Sequence, residues 1–118
     1  MNAESVVAVV HAGAIAILLP GDAEADTLAR YRLPRADLIV VPHHGSKGAV
    51  SPALLATTCA RVACISVGAG NPFGHPDPQT INVLQDHGQT VLRTDRAGWV
   101  AVRLMGGEMA VSTERKPQ

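Results

Sequence analysis

The chain is poor in aromatic side chains: Tyr31, Phe73 and Trp99 are the three it has in 118 residues. Without large rings, the core must be filled by Val, Ala, Leu and Ile, which pack the thin layers of an α/β arrangement. Charge of one sign is also missing. Ten Lys and Arg balance ten Asp and Glu, for a formal net charge of zero. No global basic field draws in nucleic acid, so any such contact needs a local patch or a neighbouring domain. The arginines late in the chain (Arg93, Arg96, Arg103, Arg115) are scattered and read as solvated charge on strand exteriors. Cysteine is limited to Cys59 and Cys64. Their spacing is not CxxC and no histidine pair stands at zinc-finger distance, which excludes a small zinc fold. Cys64 lies in an apolar run and reads as a small core residue. No stretch reaches the roughly 18 apolar residues of a membrane span. The apolar run from Val6 to Leu19 is interrupted by His11 and Gly13 and reads as a hairpin. Glu4 and the lack of a basic start argue against a signal peptide.

The length suits one domain with a modest core. Two apolar runs, 5–10 and 14–19, joined by His11, Ala12 and Gly13, predict a β-hairpin. Residues 23–31 have helical composition, with Leu28 and Tyr31 on one face and Asp22 placed as N-cap. Asp37 to Val41 reads as a buried strand. Ser51-Pro52 predicts a helix start, with Ser51 as cap and Pro52 in the first turn. Residues 61–67 are a further strand, so strand, helix and strand predict a parallel βαβ unit. Residues 68–78, GAGNPFGHPDP, form a structured loop. Residues 79–87 predict a helix stopped by Gly88. Strands follow at 90–93, 98–104 and 108–112, with turns at 95–97 and at Gly106-Gly107. The expected fold is a mixed β-sheet with helices mainly on one face.

The most informative stretch is ADLIVVPHHGS, residues 36–46. A buried strand is a rigid platform, and groups placed where it leaves the sheet are held firmly. Two imidazoles stand there, His43 and His44, and imidazole is a common metal ligand and a proton shuttle near neutral pH. Gly45 after them lets backbone approach closely. Two other loops leave strand ends: Pro20-Gly21-Asp22, and 71–77 with His75 inside. In an α/β sheet such loops converge on one crevice. Asp with His is a ligand pair of Zn²⁺ and Mn²⁺ hydrolases. Each residue has a plainer reading too: Asp22 as a helix cap, His75 as a loop histidine bonded to backbone. His11, placed in the hairpin turn, and His87, at a helix end, read as surface residues.

Taken in order, LLPGDAEAD, ADLIVVPHHGS, ISVGAGNPFGHPDP and VLRTDRAGWVAVRL resemble the C-terminal part of the metallo-β-lactamase-like domain of ComEC competence proteins. These are the DNA-uptake channel proteins of naturally transformable bacteria. The resemblance covers residues 5 to 104. It implies half of an αββα sandwich over residues 1–113; the tail at 114–118 reads, from its terminal position, as disordered. The resemblance implies metal ligation by Asp22, the bridging aspartate, and by His44, with His43 the second candidate. It implies phosphate contacts from Ser46 and Lys47, and a catalytic His75 with Asn71 nearby. The implied activity is metal-dependent phosphodiester cleavage, with zinc or manganese, degrading one DNA strand during uptake. The implied parent lies in the bacterial cell membrane, with this domain soluble.

One part of the family pattern is absent: the HxHxDH-like cluster of the N-terminal half. The chain is therefore expected to hold its divalent metal with an incomplete ligand set and to be inactive by itself. The expected partners are DNA, through the parent, and the N-terminal half of the hydrolase domain. A homodimer, with a second copy covering the bared sheet face, is the expected assembly of the chain alone. The alternative expectation is a non-catalytic hydrolase-like module that binds DNA or a partner subunit.

Overall fold

A computed structural model describes residues 6–23 and 25–116. Ser5 of the first predicted strand, Glu24 of the first predicted helix and residues 117 and 118 of the predicted tail lie outside the described residues. The hairpin forms as β1 (Ala8–Ala12) against β2 (Ile15–Leu19), from Ala8 opposite Leu19 to Ala12 opposite Ile15. Its turn is Gly13-Ala14, with Gly13 at φ +59°. His11 is thus a strand residue opposite Ala16, not a turn residue.

Three strands add to β2 in parallel: β3 (Leu38–Val40), β4 (Val62–Ile65) and β5 (Thr90–Arg93). The sheet is mixed, in the order β1-β2-β3-β4-β5. The crossover from β3 to β4 is helix α2 (Pro52–Thr58), as the predicted βαβ unit requires. Ser51 caps it, its hydroxyl accepting the Leu54 N–H at 3.1 Å. The left-handed Cys59 (φ +54°) ends it. The crossover from β4 to β5 is helix α3 (Pro78–Asp86), which begins one residue earlier than predicted. Asp77 caps it by accepting the Gln79 N–H at 2.9 Å, and Pro78 fills the first turn, where no donor is needed. This second crossover pulls β5 into the main sheet, so the last three predicted strands do not act as one group.

The predicted helix at 23–31 is shorter. Before α2, helix α1 spans only Ala25–Leu28. Tighter i→i−3 bonds carry the chain on, from Arg30 N–H to Thr27 and from Tyr31 N–H to Leu28. So short a segment docks through Leu28, which is fully buried, and has no length to propagate. Residue 24, which precedes it, lies outside the described residues, and Asp22 stands in the turn before that. After β5, the predicted turn is a single helical turn, α4 (Thr94–Ala97). The last two strands, β6 (Val100–Met105) and β7 (Glu108–Thr113), pair as a separate antiparallel hairpin. Both turn glycines have positive φ, Gly106 at +58° and Gly107 at +79°, which a two-residue hairpin turn favours.

Register sorts the side chains into two faces. Val9, Leu18, Ile39, Ala63 and Val91 are partners across five strands and share one face. They pack with Leu28, Leu54, Leu55 and Leu84 from helices α1, α2 and α3 in a single core. Each fully buried Leu or Ile there contributes about 1.5–3 kcal/mol. On the other face, Ile17, Leu19, Leu38, Val40 and Cys64 line a cavity of about 300 Å³ together with Val100 and Val102 of β6. The layers are therefore helices, mixed sheet and a hairpin. Among the described residues no helix is long and apolar enough to cross a membrane. At the edge where the parallel strands begin, Asp37 ties three of them. Its N–H donates to the Ala16 carbonyl at 2.7 Å, its Oδ2 accepts the Ala16 N–H at 2.9 Å, and its carbonyl accepts the Arg61 N–H at 3.0 Å.

Candidate functional site

Strands β2, β3 and β4 are adjacent and parallel, so their C-terminal ends open on one rim. The three loops singled out in the sequence leave from those ends and are bonded to one another. Pro20-Gly21-Asp22 is a turn closed by the Ala23 N–H on the Pro20 carbonyl at 3.2 Å. Gly21 accepts the His43 N–H at 3.4 Å, which joins the first loop to the second. Gly45 accepts the Asp77 N–H at 2.8 Å, which joins the second to the third. The His43 and His75 rings lie 6.0 Å apart, and those of His43 and His44 lie 6.5 Å apart.

The second loop is a left-handed turn. Pro42–Gly45 leaves β3 with His43 at φ 48°, ψ 45°, His44 at φ 53°, ψ 26° and Gly45 at φ 80°. A left-handed residue with a Cβ costs about 1–2 kcal/mol. Glycine escapes that cost, and at residue 45 it is needed for a second reason. A Cβ there would stand 2.7 Å from the Pro76 Cβ and 3.3 Å from the Ile65 Cγ2. The close approach expected of Gly45 is therefore an approach to the loop that carries His75.

His44 is oriented by the end of β4. Its Nδ1–H donates to the Ser66 carbonyl at 2.6 Å. A carbonyl can only accept, so the neutral ring carries its proton on Nδ1 and its lone pair on Nε2. That is the tautomer in which a histidine serves as a metal ligand, with its other nitrogen anchored to a backbone oxygen. His43 Nδ1 lies 3.3 Å from the Ser46 hydroxyl. Ser46 is only 8% exposed, and its carbonyl accepts the Thr80 hydroxyl of α3 at 2.7 Å. Its position suits holding His43 better than reaching a ligand, whereas Lys47 beside it is exposed.

Asn71 is a loop organiser. Its Nδ2 donates to the carbonyls of His75 (2.7 Å) and Gly68 (3.1 Å), and its Oδ1 accepts the N–H groups of His75 (3.0 Å) and Phe73 (3.2 Å). The side chain thus fixes His75 from both sides through its backbone. Its signal in the sequence is a short amide in a Gly- and Pro-rich loop, a residue type that bonds its own backbone. His44, Val67, Gly68, Asn71, Phe73 and His75 line a cleft of about 200 Å³. Asp22 is on the neighbouring turn, at the end of β2.

Two supporting residues had no signal in the sequence. The Thr94 hydroxyl accepts the Val67 N–H at 2.7 Å and donates to the Val67 carbonyl at 2.8 Å, extending the β4–β5 pairing by a side chain. Beyond it, Arg93 grips Asp95 through Nε (3.0 Å) and Nη2 (2.8 Å). Those hydrogen bonds, with the charges of Arg93 and Arg96, hold the Asp95 carboxyl below the usual carboxylate range against the opposing effect of burial.

A metal centre needs more than this rim supplies. Structural and catalytic zinc sites use three or four protein ligands. Among the described residues no three His, Cys, Asp or Glu side chains gather closely enough to hold an ion. The orientation of His44 suits a ligand, but the donors gathered among the described residues do not by themselves make up a three-ligand set.

Three curated proteins are similar to the chain. ComE operon protein 3 of Bacillus subtilis is 32% identical over 106 residues, covering 86% of this chain and 14% of that protein. Recombination protein 2 of Haemophilus influenzae is 33% identical over 116 residues, 97% of this chain and 15% of that protein. Competence protein ComA of Neisseria gonorrhoeae is 32% identical over 102 residues, 82% and 15% respectively. The chain thus spans about one seventh of the length of the curated relatives it matches. No protein-family model matches it, and neither does any solved structure. These similarities support a relation to the ComEC-type competence proteins.

Proposed function

We propose that the chain is the second half of a metallo-β-lactamase-like hydrolase domain within a ComEC-type competence protein, and that this domain cleaves phosphodiester bonds of DNA during uptake. The relatives' names motivate the biological setting. The observation that carries the chemistry is the rim itself, where three bonded loops end adjacent parallel strands and the exposed His44 ring has Nδ1 anchored on Ser66, leaving Nε2 for a ligand. Asp22 and His44, with His43 as second candidate, are this chain's share of a zinc or manganese centre. The N-terminal half of the domain supplies the rest. Bound there, the ion would offset charge on a phosphodiester. His75, held by Asn71, stands beside the reacting group as proton donor or charge stabiliser. Ser46 orients His43, and Lys47 is the exposed cation for phosphate. The partner half would pack on the sheet face beside the β6–β7 hairpin, where Val10 is 45% and Leu19 37% exposed. A second copy would take that place when the half is missing. The parent would sit in the cell membrane with this domain in water.

Calorimetric titration of Mn²⁺ or Zn²⁺ into the joined halves tests the reading. Replacing Asp22 and His44 together by Ala should weaken metal binding tenfold or more and abolish cleavage of a linear DNA strand. Unchanged metal affinity would sink the assignment. A second reading, a non-catalytic DNA-binding module, is favoured by the lack of a three-ligand cluster among the described residues. DNA affinity that falls steeply with salt yet ignores chelator, with no cleavage, would decide for it.

A further inference from the structure

Phe73 is 76% exposed, in a chain that can spare few aromatic rings. Leaving such a ring in water forgoes burial that folding would favour. Yet its position is well defined. Gly70 and Gly74, at φ +68° and +70°, turn the chain sharply on either side of it. The Asn71 side chain accepts its N–H. Its ring lies 5.8 Å from that of His75 with 24° between the planes, an offset stack, and His75 in turn adjoins His43. Phe73 also forms a wall of the cleft that holds His44 and His75. The outcome is an exposed aromatic ring on a braced loop, next to the rim's imidazoles.

We infer that Phe73 is a stacking platform for one unpaired nucleobase of a single-stranded nucleic acid whose backbone crosses the His43–His44–His75 rim. This rests on the reading of that rim as a phosphodiester site and deepens it by naming where the strand's base is held. Every nucleobase has a π-face, so such a platform binds single strands without choosing a sequence. It also works without a strongly basic surface, which this neutral chain lacks. A paired base, stacked within its duplex, does not offer that face. The platform therefore selects unpaired strands.

The test is fluorescence anisotropy of a labelled oligodeoxynucleotide with the 118-residue chain, in chelator and at fixed low salt. Phe73→Ala should weaken binding about tenfold, as the loss of one base stack of ~1.4 kcal/mol requires. Phe73→Leu, apolar without an aromatic face, should behave like Phe73→Ala, and Phe73→Trp should keep wild-type affinity. An abasic oligomer should bind wild type and Phe73→Ala alike. An oligoribonucleotide should show the same dependence on Phe73, since the ring reads the base face and not the sugar. Equal affinities of wild type and Phe73→Ala for the base-bearing strand, full affinity in Phe73→Leu, or no binding by wild type overturns the inference. The metal titration of Asp22 and His44 variants is read separately. A lost Phe73 effect with intact metal dependence defeats the platform alone, and the reverse defeats the metal reading alone.

Discussion

Substituting Gly45 by Ala tests whether the left-handed turn and the His75 loop are pressed together. Two costs add. The first is a Cβ at φ +80°, about 1–2 kcal/mol. The second is the contact at 2.7 Å with the Pro76 Cβ and 3.2 Å with the Pro76 Cα. One of these is backbone and the other part of a rigid ring, so neither can swing away. Overpacking of that kind costs about 1–3 kcal/mol. A stiffer unfolded chain returns about 0.4–1 kcal/mol. The net loss is about 2–4 kcal/mol, or a melting temperature lower by roughly 8–15 °C for a domain of this size. Gly48 provides the control, because it also has φ +80° but nothing within 4 Å of its Cβ position. Gly48→Ala should cost about 1 kcal/mol from strain alone. Urea denaturation followed by circular dichroism gives both values. If Gly45→Ala is no more destabilising than Gly48→Ala, the two loops are not packed against each other, and the convergent rim fails with them.

Asn71→Ala removes four hydrogen bonds to loop backbone, so the Phe73 and His75 amides should exchange at least tenfold faster, while amides of β3 and β4 keep their protection; unchanged loop exchange would refute the organiser role. Burial pushes the Cys64 thiol up to about 11, so at pH 8 a disulfide reagent should label exposed Cys59 quickly and Cys64 slowly; a fast phase that survives Cys59→Ser would contradict this. The Asp95 carboxyl, held low by Arg93, lends stability that is complete above the ordinary carboxylate value and lost as pH falls through the depressed one. Wild type should therefore lose stability more steeply than Asp95→Asn below about pH 4, and parallel pH profiles would rule the linkage out.

Much of this architecture could be read from the residues because it rests on local rules. Apolar runs bounded by Gly and Pro marked β1 to β4, and Ser51-Pro52 marked the start of α2. What could not be read depends on context. His11 follows a strand pattern, but only the pairing with Ala16 separates strand from turn. Residues 23–31 have helical composition, yet among the described residues Leu28 is the one large side chain they bury, beside Ala23, Ala25 and Thr27, and composition does not reveal how short the docked helix is. Asp77-Pro78 did carry a start signal, a capping carboxylate before a first-turn proline, which puts the helix start one residue before the expected Gln79. The rim loops were legible as loops. Asn71's grip on backbone and Thr94's bridge to Val67 belong to tertiary geometry, and their residue types only permit them.

The least legible feature is the conformation of His43 and His44, and it bears most directly on function. Two successive residues with side chains in the left-handed region cost together about 2–4 kcal/mol. A turn selected for stability alone would place Gly or Asn there. Both imidazoles are exposed, so core packing does not repay the strain. The surroundings impose it instead, through the Gly21 carbonyl on the His43 N–H, the Ser66 carbonyl on the His44 ring and the Asp77 N–H on the Gly45 carbonyl. Each restraint comes from a different strand end or loop, so relaxing the turn would mean breaking bonds to three neighbours. Strain kept in this way is typical of sites where side-chain direction matters more than stability. Here the ring whose direction is fixed is that of His44, anchored through Nδ1 on the Ser66 carbonyl.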